Sequence, residues 1–213
     1  MTEQDFLELL KQTGGYITQS HIIATSGKHL DSYLNKDAIY PHTHALSAVC
    51  KAMATLFADR TIEVVVGPSL GGILLSQGIA YHLSEMTGRD VLALYTEKTV
   101  TKDQIFTRGY DALVRGKRVL VVEDILTTGG SLTKVVRTVK DAGGEVIAAC
   151  AMVNRDPDRI NEDIIGAPLH CLASLRLPSW DKADCPMCKA NQPVNTTVGK
   201  GRDYLAQREA GTT

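Results

Sequence analysis

Short apolar runs alternate along most of the chain with longer stretches in which apolar residues recur every three or four positions. The helical period predicts helices over 73–87 and 131–142, each of which ends close to a glycine. Strands that alternate with helices form parallel sheets, so the pattern predicts an α/β fold with a doubly wound parallel sheet. The short runs that we interpret as buried strands cover residues 62–66, 91–95, 117–122 and 145–153.

Both ends of the chain depart from this alternation. Thr2 and an acidic first turn predict a helix that ends at Gly14, and residues 16–25 are predicted to be extended. Polar loop and strand are predicted over 26–37, and Pro41 opens a predicted helix that runs to about Asp59. Beyond Pro178 the chain is rich in Pro, Cys and Asn, which predicts an irregular extension packed on the core. We therefore expect one domain over 1–213, divided into an N-terminal segment (1–40), an α/β core (41–175) and a C-terminal extension (176–213).

Composition limits the classes of protein to which the chain can belong. With 213 residues, 44% of them hydrophobic and 22% charged, the chain can bury one sizeable core, as soluble globular proteins do. A net charge of -1 gives no reason to expect nucleic acid or an anionic membrane as a partner. No apolar stretch approaches the length of a membrane helix, and the first residues are acidic where a signal peptide would be basic. We expect a cytoplasmic protein.

The most informative segment is 119–131, in which an apolar run ends at two adjacent acids, Glu123 and Asp124. Carboxylates at the end of a strand can accept hydrogen bonds from the vicinal hydroxyls of a ribose. The small and hydroxyl residues of 127–131 come next, and a helix follows them. Backbone N–H groups at a helix N-terminus bind phosphate. The segment therefore predicts a phosphorylated ribose as ligand, and the chain contains no Walker A or Gly-x-Gly-x-x-Gly loop that would suggest another nucleotide fold.

Three other loops should meet this segment, because ligands of open α/β sheets bind beyond the carboxyl ends of the strands. The loop over 67–72 is rich in glycine and can bring its backbone close to an anion. The stretch over 96–110 is long and polar, as functional or mobile loops usually are, and it carries three cations. The third segment starts at Asn154. These loops predict a pocket for a highly anionic ligand.

The segment 117–155 resembles the type I phosphoribosyltransferases, and the resemblance extends over roughly 14–175. Members of that family transfer the phosphoribosyl group of phosphoribosyl pyrophosphate (PRPP) to a base. The resemblance implies this activity, a magnesium ion and a homodimer. The segment Ser26-Gly27-Lys28-His29 resembles the hood that covers the base in the orotate-specific branch, and 106–110 also resembles that branch. Transfer to orotate, giving orotidine 5'-phosphate and pyrophosphate, is thus the expected reaction.

The chain departs from the orotate-specific pattern at two positions. Leu70 and Gly71 stand where such relatives often hold a lysine, and the 96–110 loop has no histidine. A purine-type phosphoribosyltransferase therefore stays open as an alternative, as does a PRPP-binding regulator without catalysis. A regulator should carry a nucleic-acid-binding module or a basic face, and this near-neutral chain has neither, which favours the enzyme.

The resemblance assigns roles to particular residues. Lys102, Lys98 and Asp124 are the expected catalytic residues, and Glu123 and Asp124 are expected to hold magnesium, directly or indirectly. The base should meet Lys28, Tyr33, Thr127 and Arg155, since a guanidinium matches a planar carboxylate with two hydrogen bonds. The expected PRPP-binding residues are Pro68, Ser69, Gly71, Lys98, Lys102, Arg108, Glu123, Asp124, Ile125, Leu126, Thr127, Thr128, Gly129, Gly130 and Ser131.

The five cysteines include one pair with ligand spacing, Cys185 and Cys188. A Cys-x-x-Cys turn is the usual half of a structural zinc site. His170 and Cys171, or the same pair of a partner subunit, could complete such a site. Plain thiols or a labile disulfide are the favoured alternatives to zinc, and the other histidines are scattered and not predicted as ligands.

Overall fold

The computed structural model describes residues 1–210, and these form an α/β fold around one six-stranded sheet. No helix in this range is both long enough and apolar enough to cross a membrane. The helices are α1 (Glu3–Gln12), α2 (Thr43–Thr55), α3 (Gly71–Thr87), α4 (Tyr110–Val114), α5 (Gly130–Asp141), α6 (Glu162–Ile165), α7 (Pro186–Lys189) and α8 (Gly201–Ala210). The strands are β1 (Tyr16–Ile17), β2 (Ile22–Ile23), β3 (His29–Leu30), β4 (Tyr33–Leu34), β5 (Val64–Pro68), β6 (Leu92–Lys98), β7 (Gln104–Ile105), β8 (Arg118–Leu126), β9 (Glu145–Asn154), β10 (Leu169–Ser174) and β11 (Ser179–Trp180).

The central sheet has the strand order β10-β9-β8-β5-β6-β7. Its first five strands are parallel, and only the short edge strand β7 runs antiparallel to its neighbour. Successive side chains of a strand point to opposite faces, so each strand feeds two separate apolar clusters. Val65 and Leu120 pack in one cluster with α1, α2 and α3, whereas Val64 and Val119 pack in the other with α5. The predicted doubly wound parallel sheet is confirmed.

The parallel register brings four loops to one edge of the sheet. Pro68 at the end of β5 lies opposite Thr96 of β6, and Leu126 at the end of β8 lies opposite Asn154 of β9. The loops that leave these ends are the four that the sequence nominated for ligand binding. The acids Glu123 and Asp124 lie within β8 itself, which continues to Leu126 rather than ending at Val122 as predicted.

The N-terminal segment and the C-terminal extension pack on each other. The strand pair β1–β4 is antiparallel, and a three-stranded sheet has the order β11-β3-β2, so one strand of the extension joins two strands of the N-terminal segment. Trp180 of β11 lies opposite His29 of β3. The expected C-terminal extension is present, but it is not irregular throughout, because β11, α7 and α8 lie within it. These elements are too short or too polar to produce a clear hydrophobic period.

Other predicted boundaries also need correction. The stretch over 96–110, expected to be a polar loop, contains the edge strand β7 and ends at the first residue of helix α4. The helix expected over 41–59 covers only Thr43–Thr55, and strand β10 was not predicted. Strands β7 and β10 owe their structure to hydrogen bonds with β6 and β9, which no local pattern reveals.

The suggested completion of the cysteine pair by His170 and Cys171 is wrong. Both residues lie on β10, where the His170 ring contacts Phe57 edge-on at 5.2 Å between centroids. Cys185 and Cys188 lie instead beside His21 and His29 of the N-terminal segment.

Candidate active site

A pocket of about 90 Å³ lies at the N-terminus of α5, and its walls are residues of β8 and of the loop that follows. Gly129 takes a φ of 74° just before the helix, a conformation that favours glycine. The first N–H groups of a helix have no acceptor within the helix, so they are available to a ligand. Such a helix N-terminus is suited to a phosphate group. The lining residues are Glu123, Ile125, Leu126, Thr127, Thr128, Gly129, Gly130, Ser131 and Leu132.

Glu123 and Asp124 are both buried, and backbone N–H groups supply part of the hydrogen bonds that their carboxylates need. The N–H of Asp124 donates to Glu123 Oε1 at 3.0 Å, and the N–H of Ile125 donates to Asp124 Oδ1 at 2.6 Å. Burial and the neighbouring Asp124 carboxylate together raise the pKa of Glu123 above its ordinary value. Two buried carboxylates side by side therefore form a site that favours the approach of a cation or of hydroxyl donors.

Two residues that the sequence did not nominate, Lys36 and Tyr40, hold Asp124. The Lys36 ammonium lies 3.0 Å from Asp124 Oδ2, and the Tyr40 hydroxyl donates to the same oxygen at 2.7 Å. Although burial lowers the pKa of Lys36, the Asp124 carboxylate outweighs it and the pKa is raised. Burial, followed by the Asp124 charge, raises the pKa of Tyr40 far above its ordinary value, so its hydroxyl stays a donor. No local pattern signals either residue, because both lie more than 80 positions from Asp124 in the sequence.

The glycine-rich loop also reaches Asp124. A Cβ atom placed on Gly71 would collide with Asp124 Oδ2 and with the Tyr40 hydroxyl, so only glycine permits this close approach. Pro68 is buried at the end of β5, and the N–H of Ser69 donates to the Thr96 carbonyl at 2.9 Å. Two of the four nominated segments thus converge here: the 67–72 loop and the segment 119–131, which carries both the acidic pair and the phosphate loop.

A second pocket of about 200 Å³ adjoins the first and shares Ile125 and Thr127 with it. Its remaining lining residues are Tyr33, Leu34, Asn35, Lys36, Asp37, Asp124 and Arg155.

Arg155 belongs to a third nominated segment, the one that starts at Asn154, and it lines this second pocket. Its backbone N–H donates to the Leu126 carbonyl at 3.0 Å, which ties it to the phosphate loop. Its Nε is buried and has no hydrogen-bond partner among the described residues. Burial lowers the pKa of the half-buried guanidinium, and the neighbouring Tyr33 counteracts that shift only in part. An unpaired donor of this kind is a binding group for an anionic ligand.

The loop cations lie apart from both pockets in the described chain. Lys98 ends β6, and Arg108 pairs with Glu97 at 3.1 Å while its guanidinium lies 5.9 Å from the centre of the Tyr95 ring. The carbonyl of Lys102 accepts a hydrogen bond from Lys134 Nζ of α5 at 2.5 Å. The structure does not bring these three cations into contact with the acidic pair, and their roles stay predictions.

The Lys28 side chain points toward the extension. Its ammonium lies 2.8 Å from Asp181 Oδ2 in an exposed ion pair. Lys28 does not line either pocket of the described chain, whereas Lys36 lines the second. Its expected contact with the base therefore stays a prediction.

The fold and the phosphate loop define a phosphoribosyltransferase, and the comparison with known families agrees. The sequence model described as "Phosphoribosyl transferase domain" matches residues 35–166, and the chain belongs to this family. The resemblance found in the sequence is confirmed.

Its relatives carry a more particular name. The chain is 34% identical to orotate phosphoribosyltransferase of Caldanaerobacter subterraneus over 91% of this chain and 96% of the relative. It is 35% identical to the enzyme of that name from Acidithiobacillus ferrooxidans, over 89% of this chain and 93% of the relative. Crystal structures of orotate phosphoribosyltransferase from Mycobacterium tuberculosis H37Rv are also similar. One superposes with a TM-score of 0.65 at 28% identity, over 80% of this chain and 97% of that one. Another, in complex with PRPP, superposes with a TM-score of 0.58 at 25% identity, over 82% of this chain and 95% of that one.

Proposed function

We propose that this protein transfers the 5-phosphoribosyl group of PRPP to orotate, yielding orotidine 5'-phosphate and pyrophosphate. One observation carries the proposal: two adjoining pockets share Thr127. The first is suited to a phosphate, and the second holds the Arg155 guanidinium, whose buried Nε has no partner among the described residues. A nucleotide of a carboxylated base has those two anionic groups at its two ends. The names of the relatives support the same base.

In the proposed reaction, the bond between C1 of the ribose and pyrophosphate breaks while a ring nitrogen of orotate forms the new bond to C1. The ribose passes through a state resembling an oxocarbenium ion, and negative charge grows on the departing pyrophosphate. Such a reaction needs no covalent nucleophile. The protein has to orient the two substrates, stabilise the charge on the leaving group and exclude water.

The 5'-phosphate and the ribose are assigned to the segment 123–131. Backbone N–H groups and hydroxyls of 127–131 would hold the phosphate at the N-terminus of α5. Glu123 and Asp124 would accept hydrogen bonds from the ribose hydroxyls. The Lys36 ammonium and the Tyr40 hydroxyl both contact Asp124 Oδ2 and so fix the position of this carboxylate.

The residues present fit a magnesium ion. Their carboxylate oxygens are the hard ligands that Mg²⁺ prefers. Burial and the neighbouring Asp124 carboxylate raise the pKa of Glu123. Of the two acids, Lys36 pairs with Asp124 only, so this single ammonium does not neutralise both. Glu123 and Asp124 would hold the ion, directly or through water, and a bound Mg²⁺ would neutralise charge that develops on pyrophosphate.

The base is assigned to the second pocket. Arg155 would bind the carboxylate of orotate through two parallel N–H donors, and its buried Nε is one donor that awaits a partner. Tyr33 and Thr127 line the same pocket, where Tyr33 offers a flat face for the ring.

Pyrophosphate is assigned to the 67–72 loop and to the cations of the 98–108 segment. Gly71 approaches Asp124 closely, and Pro68 and Ser69 precede it at the end of β5, so the leaving group would lie between this loop and the ribose. Lys102 is our assignment for the main stabilising cation, with Lys98 and Arg108 assisting. The loop that carries Lys102 packs on α5. Two residues of that helix contact it: Arg137 pairs with Asp103 at 2.6 Å, and Thr138 donates to the Gln104 carbonyl at 2.9 Å.

We further propose a homodimer of this single-domain chain, located in the cytoplasm. Large apolar side chains stand exposed on and next to α3, with Leu70 83% exposed, Tyr81 58% and Leu74 45%. Such a patch favours a protein interface. Light scattering of the purified protein should give twice the chain mass, and a monomer at working concentrations would contradict the proposal.

An activity panel tests the proposed reaction. Purified protein with PRPP and Mg²⁺ is offered orotate, uracil, adenine, hypoxanthine and xanthine, and nucleotide formation is followed. We expect orotidine 5'-phosphate from orotate and no product from the other bases. Turnover of a purine would replace the proposed acceptor, and PRPP binding without turnover of any base would indicate a regulator.

A further inference from the structure

Four potential metal ligands meet where the N-terminal segment packs on the C-terminal extension. His21 and His29 come from the first, and Cys185 and Cys188 from the second. Their ligand atoms all lie within 4.8 Å of one another. The environment is closed, because His21, His29 and Cys185 are exposed by only 2%, 1% and 0%.

Three distances between ligand atoms match a tetrahedral site. Bonds of about 2.0–2.1 Å to nitrogen and about 2.3 Å to sulfur place tetrahedral zinc ligands about 3.3 to 3.8 Å from one another. His21 Nε2 lies 3.8 Å from Cys185 Sγ and 3.7 Å from Cys188 Sγ, and His29 Nδ1 lies 3.4 Å from Cys188 Sγ. The two histidine nitrogens are 2.8 Å apart, so an ion between them would separate the rings by about 0.5 Å.

The surrounding hydrogen bonds orient these ligands. His21 Nδ1 lies 2.8 Å from the Gln192 carbonyl, which can only accept, so the proton sits on Nδ1 and the lone pair of Nε2 faces the cluster. A backbone carbonyl in this position is the usual support of a metal-bound histidine. Cys185 caps α7 by accepting from the N–H of Cys188 at 3.4 Å, which folds both thiols toward the histidines.

We propose that His21, His29, Cys185 and Cys188 bind a structural Zn²⁺ ion. Two thiolates and two imidazoles in tetrahedral arrangement are the ligand set that proteins use for zinc. Four protein ligands leave no position for substrate, which makes the ion structural rather than catalytic. A disulfide between the cysteines would use neither of the two buried histidines, whereas zinc uses all four side chains.

The ion would join the two ends of the chain. Trp180 pairs with His29 in the three-stranded sheet, and Lys28 pairs with Asp181, so the extension already contacts β3 next to the cluster. From β3 the chain continues into β4 and to Lys36, and Tyr33 and Lys36 line the second pocket. The zinc site would therefore hold the segment that covers the base. This last consequence rests on the proposed function, but the zinc site itself does not.

Metal analysis of the purified protein tests the site without any activity measurement. We expect a single Zn²⁺ per chain in the wild type, and its loss in Cys188→Ser and in His29→Ala. Cys171→Ser and His170→Ala are matched controls, because both residues lie on β10 outside the cluster, and they should keep the ion. Zinc that is retained in both cluster variants would overturn the proposal.

Cobalt provides a second measurement that does not depend on the folding of any variant. Wild-type protein stripped with a chelator and titrated with Co²⁺ should show the intense visible absorption of tetrahedral cobalt and thiolate-to-metal charge transfer. Added Zn²⁺ should abolish both signals. A weak octahedral spectrum, or a mass showing a Cys185–Cys188 disulfide in freshly purified protein with no bound metal, would contradict the site.

The thermal midpoint should follow the ion. Chelation should lower the melting temperature of the wild type, and restored Zn²⁺ should raise it again, because an ion that binds only the folded state stabilises that state. The melting temperature of folded Cys188→Ser should not respond to the chelator. An equal response of the wild type and this variant would contradict a structural role for the cluster.

Discussion

The active-site segment 119–131 and the histidine–cysteine cluster are both made of ligand groups, but they are assembled in opposite ways. In the first, a single strand and its loop deliver the acids and the phosphate-binding groups in sequence order. In the second, residues 21, 29, 185 and 188 meet only because the chain ends pack on each other. The comparison teaches that a contiguous site can be recognised from its motif, whereas a site built from distant segments requires the fold.

The two regions also differ in whether their ligand groups are accessible to a substrate. The acidic pair and Arg155 line pockets, and Arg155 keeps a donor without a partner among the described residues. The histidine–cysteine cluster points its groups at one another in a closed interior. The first arrangement suits substrates that enter and leave, and the second suits an ion that stays.

The largest expected effect is at Asp124, the center of the contiguous site. Asp124→Asn keeps the shape of the side chain but removes the charge, which leaves Lys36 paired only with Asp37 and weakens the acceptor for the ribose. We expect kcat/KM for PRPP to fall about 100- to 1,000-fold. Asp90→Asn, an exposed position, is the control and should stay near wild type. A loss of less than tenfold in a folded Asp124→Asn would contradict the assigned role.

Lys102→Ala tests whether the loop cation acts on the leaving group. We expect kcat to fall about 100-fold while KM for PRPP changes little, because the interaction grows as charge develops in the transition state. Lys51→Ala, on the exposed face of α2, controls for the loss of one positive charge. Unchanged turnover would contradict this assignment and would indicate that Lys98 or Arg108 stabilises the leaving group instead.

Arg155→Ala addresses the choice of base and should chiefly raise KM for orotate, by about 10- to 100-fold, since it removes a charged hydrogen-bond donor. Arg155→Lys should recover only part of the affinity because an ammonium lacks the planar fork. Arg159→Ala is the matched control, since its side chain is exposed a few residues along the same loop. Equal KM values for orotate in Arg155→Ala and Arg159→Ala would remove Arg155 from the base site.

The smallest effects compare two lysines of the N-terminal segment, Lys36 and Lys28. Lys36→Ala leaves Asp124 without its cation, and we expect kcat/KM to fall about tenfold. Lys28→Ala breaks only the exposed pair with Asp181, so activity should stay within about twofold and stability within about 1 kcal/mol. Steady-state kinetics and thermal melting measure both variants. If Lys28→Ala raised KM for orotate as much as Arg155→Ala, the sequence-based assignment of Lys28 to the base would be supported.

Much of the sheet could be predicted because its elements are long and strongly patterned. The expected strands over 62–66 and 145–153 and the expected helix over 131–142 agree with β5, β9 and α5 to within two residues at each end. Strand β10 and the two-residue β7 were missed, since each depends on a neighbouring strand rather than on its own pattern. Helix α8 was missed because its sequence is polar nearly throughout.

The sequence by itself determined the phosphate loop, the adjacent acids and the alternating α/β pattern. Those features depend on neighbouring residues and on the periods of the helix and the strand. Only the tertiary structure decided that Lys36, Tyr40 and Gly71 surround Asp124. It also decided that His21 and His29, not His170 and Cys171, face Cys185 and Cys188. The physical reason is the same in both cases, because contacts between distant segments arise from packing of the whole chain and leave no local pattern.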